Sequence, residues 1–183
     1  GRRASLSSVP TTRCMNQRAF SSRRASPVGA TGRVPSEGQG MRLEYEIAGR
    51  DFQAAGEAAA KIKRTLRQVG VDAETARRVG IVAYEAEMNI VIHAYHGTIR
   101  IAISPQRIEV CADDEGPGIP DIPLAMQVGY STAPEDIREM GFGAGLGLPN
   151  MKRYSDDLKI GSTVGRGTSI RAVNATIAFT CGM

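Results

Sequence analysis

Residues 79–92 read VGIVAYEAEMNIVI, and the fold turns on how this stretch is read. It is apolar almost all the way round a helix, which predicts a helix buried between a sheet and its flanking layer. With its flanks it is expected to run from about Asp72 to Tyr95. Glu85, Asn89 and His93 follow one another at steps of four. Each step turns only about 40° on a helix of 3.6 residues per turn, so the three share one face. A carboxylate and an amide in an apolar helix are costly unless something pairs with them. They either face water or line a site. Glu87 points roughly 200° away from Glu85 and reads as a surface or partner-facing acid.

Outward on the N-terminal side, Leu43, Tyr45 and Ile47 alternate with Glu44 and Glu46, the pattern of a half-buried strand. Asp51 is placed to cap a helix with the apolar stripe Phe52, Ala55, Ala59, Ile62, Leu66 and Val69, which Gly70 ends. On the C-terminal side, Ile99, Ile101 and Ile103, then Ile108, Val110 and Ala112, predict a hairpin turning at Ser104-Pro105-Gln106. A loop at 113–123, a short helix near 122–128, a polar segment, a helix starting near Leu148 and strands near 157–161 and 168–179 complete the order. This predicts an α+β fold, a two-layer sandwich with helices on one face of a mixed or antiparallel sheet.

Two segments are rich in glycine. Residues 113–121 read DDEGPGIPD directly after an apolar strand. Gly116 and Gly118 permit close approach of a ligand to the backbone. Asp114 would accept a hydrogen bond from an exocyclic amine such as adenine's; a plain turn explains the same letters. Residues 141–150 read GFGAGLGLPN, with glycine at 141, 143, 145 and 147. Such a run can turn successive N–H groups towards a phosphate, and Pro149 suits the first turn of a helix whose N-terminus favours anions. It is neither a Walker A loop nor a dinucleotide fingerprint. With phosphate nearby, Asn89 would offer a neutral oxygen to Mg²⁺, and Glu85 would orient or deprotonate a nucleophile. The polar stretch GYSTAPEDIREM at 129–140 reads as a mobile lid or as an ordinary surface loop, with Ser131 and Thr132 as weak phosphate candidates.

The charge is unevenly spread. Residues 1–40 carry seven arginines, seven serines and one acid, whereas the rest holds 16 basic and 18 acidic residues. The near-neutral remainder speaks against nucleic-acid binding. No apolar run is long enough for a membrane span. Cys14, Cys111 and Cys181 lack metal-ligand spacing and fit a reducing, cytoplasmic setting. We read residues 1–40 as a disordered Arg/Ser-rich tail, either a transit peptide or sequence upstream of a start at Met41, and residues 41–183 as one domain.

Taken in order, Glu85-x-x-x-Asn89, Asp114-x-Gly116-x-Gly118, Gly143-x-Gly145-x-Gly147 and Gly167-Thr168 resemble the GHKL ATPase superfamily, over roughly residues 41–175. Within it, DEGPGIPDIPLAMQVGYST and GFGAGLGLPNMKRYSDDL are most similar to the small bacterial anti-sigma-factor serine/threonine kinases. The resemblance implies the Bergerat-type ATP-binding fold, with ATP and Mg²⁺ as cofactors. It makes Glu85 the general base, Asn89 the Mg²⁺ ligand and Asp114 the acceptor for the adenine amine, with Gly116 and Gly118 beneath the ring. Gly143, Ala144, Gly145, Leu146 and Gly147 would line the phosphates, Thr168 would act at adenine through water, and His93 would sit one turn beyond. The implied partner is a STAS-type anti-sigma-factor antagonist that the kinase phosphorylates, with a sigma factor or another regulator as a further partner; a homodimer stays open. A nucleotide-gated binding protein with little catalysis, or an ATPase module within a larger complex, is the alternative. Gly141-Phe142 and a long lid depart from the shortest relatives.

Overall fold

The computed structural model describes residues 40–176. The expectations for the tail, for Cys14 and Cys181, and for a last strand continuing to 179 lie outside these residues.

The described chain folds as β1 (Met41–Ala48), α1 (Glu57–Gln68), α2 (Ala73–His93), β2 (His96–Ile103), β3 (Arg107–Glu115), α3 (Ile122–Ala125), α4 (Glu135–Glu139), α5 (Gly147–Tyr154), β4 (Asp157–Thr163) and β5 (Gly167–Ala175). The strands form one five-stranded sheet in the order β1-β2-β3-β5-β4. Every ladder is antiparallel, which narrows the expected mixed or antiparallel sheet to the second form.

Alternation along the strands decides which face is buried. Ile99, Ile101 and Ile103 of β2, Ile108, Val110 and Ala112 of β3, and Ile170 and Ala172 of β5 join one core cluster. Val79, Val82, Ala83, Ala86 and Ile90 of α2 fill its other side. α2 crosses β1, β2, β3 and β5, with α1 and α5 packed along its flanks. The opposite sheet face is polar. There Arg171 donates to both oxygens of Glu109 at 2.9 and 2.6 Å, and Arg100 pairs with Asp113.

Two expectations are corrected here. The first helix begins at Glu57, not Phe52. The Asp51 carboxylate does accept from the Ala54 N–H at 3.2 Å, but it closes only a turn, because Gly56 at φ 90° breaks the helical path. The second concerns Glu87, which is 2% exposed and no surface acid. Its carboxylate accepts the N–H groups of Gly56, Ala58 and Ala59 at 2.9, 3.2 and 2.8 Å. α1 has no capping side chain of its own at Gly56, so a residue of α2 satisfies the orphan donors of its first turn.

Candidate functional site

A cavity of about 470 Å³ opens where α2, the end of β3 and the second glycine segment meet. One wall is α2: Glu85, Asn89 and His93 all face in, as their common stripe requires. Glu85 and Asn89 are half-buried. No protein group hydrogen-bonds the Asn89 side chain among the described residues, which leaves its amide oxygen available to a ligand. Burial, and then the nearby positive charge of Arg50, hold the pKa of His93 below its ordinary value and so favour the neutral ring.

Asp114 lies on the second wall, near the end of β3 rather than in a loop. Its Oδ1 accepts the Thr168 N–H at 3.1 Å. Burial raises its pKa above the usual carboxylate value, the Thr168 hydrogen bond opposes that, and the neighbouring Asp113 charge adds to it. Gly167 is required here: its φ is 144°, and a Cβ would fall 1.9 Å from the Asp114 carbonyl oxygen. Thr168 lines the same wall, and its hydroxyl lies 3.1 Å from that of Ser162. Ser162 donates to the Gly167 carbonyl at 3.0 Å and accepts the Ile119 N–H at 2.7 Å. Thr168 is therefore the donor of that pair, and its hydroxyl keeps an acceptor lone pair.

The glycine segments close the cavity. Gly118, Gly143, Ala144, Gly145, Leu146 and Gly147 all line it. Gly143 and Gly145 have φ of 68° and 72°. A Cβ at Gly143 would meet that of Ala133 at 2.4 Å, and one at Gly145 the Gly129 and Tyr130 backbone at 2.5 Å. Gly116 stands apart from the lining: it packs on Ala94, where a Cβ would lie 3.0 Å from the Ala94 Cα.

The segment 129–146 is not the loose polar loop its composition suggests. α4 buries Ile137, which joins Ala133, Met88 and Ile92 in a second apolar cluster that Phe52 and Phe142 flank. The Phe52 and Phe142 rings stack with centroids 5.6 Å apart. Sequence reading missed Ser162, which carried no signal, and Tyr84 and Asn150, which also line the cavity.

The chemistry of this wall set fits a nucleotide: a half-buried acceptor at one end, and glycines at which a side chain would clash at the other. It also fits Mg²⁺. Among the described residues no group of three or more His, Cys, Asp or Glu converges. Asn89, a neutral oxygen ligand on the cavity wall, would hold such a metal together with phosphate oxygens and water, the habit of Mg²⁺. Among the same residues no helix is long and apolar enough to cross a membrane.

The fold and this site are those of a nucleotide-binding ATPase domain, and the family comparison agrees. The family described as the histidine kinase-like ATPase domain matches residues 50–174, and the chain belongs to it. Among individual proteins, the chain is 33% identical over 115 residues to the serine/threonine-protein kinase RsbT of Bacillus subtilis, covering 61% of this chain and 80% of that one. It is 36% identical over 118 residues to the anti-sigma F factor of Caldanaerobacter subterraneus subsp. tengcongensis, covering 62% and 74%. Among solved structures, the SiaB-SiaC complex from Pseudomonas aeruginosa contains a chain of similar fold, with TM-score 0.51 and 19% identity over 72% of this chain and 88% of that one.

Proposed function

We propose that this chain is an ATP-dependent protein serine/threonine kinase and anti-sigma regulatory factor that phosphorylates a STAS-type anti-sigma-factor antagonist in the cytoplasm. The observation that carries the reading is the pairing of Glu85 with Asn89 on one cavity wall, both facing Gly147. A binding module needs an acceptor for the base and a cradle for phosphates; it has no use for a carboxylate beside them. The names of the two relatives support the same class.

In this reading Asp114 accepts the adenine amine, and Thr168 presents its acceptor lone pair nearby. The backbone N–H groups of residues 143–147 and the first turn of α5 hold the phosphates. Asn89 supplies the protein ligand to Mg²⁺, whose charge offsets that of the phosphate oxygens. Glu85 accepts the proton of the attacking serine or threonine hydroxyl. His93, one turn further along α2, completes this wall. A sigma factor or another regulator is a further partner class in this reading.

The test is transfer of label from γ-labelled ATP to a STAS-domain protein of the same genome, beside Glu85→Ala. Wild type should label that protein, and Glu85→Ala should lose on the order of 10²–10⁴-fold in rate. Partner binding that depends on ATP without any transfer would instead mark a nucleotide-gated binding protein.

A further inference from the structure

We infer that Asn150 is a positioning residue that sets which oxygen of Glu85 faces the substrate; this rests on the kinase reading above. Asn150 is in the first turn of α5, where its own N–H donates to the Leu146 carbonyl at 2.8 Å. From there its Nδ2 donates to Glu85 Oε1 at 2.7 Å, across 65 residues of sequence.

The other oxygen has a different outlook. A Cβ built on Gly147 would lie 3.5 Å from Glu85 Oε2 and 3.2 Å from Asn89 Oδ1. Oε2 and the Asn89 oxygen therefore flank one small open space in the cavity beside Gly147, while Oε1 is held by Asn150. Without a tether, the carboxylate would swing about its three side-chain torsions and exchange its two oxygens. The Asn150 NH₂ group tethers it by donating only, so it takes up no lone pair of Oε2 and offers no site for the proton that Oε2 is to receive. Because the tether comes from α5, which starts at the last glycine of the second segment, the base is in register with the same element that closes the phosphate end of the cavity.

The test uses the full chain and the labelling reaction with Mg²⁺, ATP and the STAS-domain protein. Asn150→Asp keeps size and shape but replaces the donor by an acceptor facing Glu85. We expect turnover to fall about 10–100-fold, with the calorimetric ATP affinity within roughly threefold of wild type. Asn150→His, whose ring N–H can donate from nearly the same place, should recover most of the loss. In a Glu85→Ala background, Asn150→Asp should cost nothing further, since residues acting through one group are not additive. Thermal unfolding of each variant reports whether it is folded, and the histidine rescue decides the case if the aspartate variant is not. Turnover retained in a folded Asn150→Asp, ATP affinity lost in parallel with turnover, or no rescue by histidine each overturns the role of Asn150 alone. Absence of transfer by the wild type overturns the kinase reading and this role with it.

Discussion

A methyl group on residue 147 would enter the space between Asn89 Oδ1 and Glu85 Oε2. Gly147 does not need its freedom for backbone reasons, since its φ is not positive. Its use is the vacancy above it. We therefore expect Gly147→Ala to fold with little change in melting temperature, alanine being a better helix former, yet to weaken Mg²⁺-dependent transfer by about tenfold or more. A metal titration of activity checks this. Asp114 makes the opposite point, that a site residue can oppose stability. Its carboxyl is raised above 3.8 in the folded chain, chiefly by burial. A raised carboxylate stabilises the fold fully below its unfolded value and loses that contribution as pH climbs through the folded value. Asp114→Asn cannot ionise and keeps an oxygen for the Thr168 N–H. Its melting temperature without nucleotide should rise relative to wild type as pH goes from about 4 to 7, read by thermal scans across that range.

At the scale of elements, α2 holds two carboxylates two residues apart with unrelated work. Glu85 faces the cavity, and Glu87 reaches the first turn of α1. The second bond set makes the active-site helix a structural strut, because α1 has no cap of its own. Glu87→Ala leaves three N–H groups without their acceptor, two of them buried, and should cost roughly 2–4 kcal/mol. Glu87→Gln, which retains one acceptor, should cost less. Urea unfolding curves distinguish the two. The segment 129–146 is also better described by its packing than by its composition. Its polar letters, Glu135, Asp136, Arg138 and Glu139, surround one isoleucine, and Ile137 alone is 1% exposed. A single apolar residue has no period, so no pattern announced α4 or its burial.

For the molecule as a whole, periodicity carried the fold. The alternation of β2 and β3 and the apolar run of α2 each express one side chain direction, and direction is what a sheet-and-helix sandwich needs. The start of α1 was not legible, because the helical stripe from Phe52 onwards is real while Gly56 overrides it. Phe52 instead packs against Phe142, 90 residues away, and no local pattern carries that contact. The site was legible where spacing maps onto a helix face, as with Glu85, Asn89 and His93. It was not where a residue acts through a tertiary neighbour. Ser162, which orients the Thr168 hydroxyl, and Asn150, which bonds Glu85, depend on strands and helices meeting across long separations. These elements together would form a nucleotide pocket with the half-buried Asp114 as its acceptor. Calorimetric titration of ATP with Mg²⁺ into wild type and Asp114→Asn tests it most directly. Wild type should bind saturably one to one, and the variant about a hundredfold more weakly, the upper scale for a lost hydrogen bond to a charged group. Equal affinity in the two proteins would contradict it.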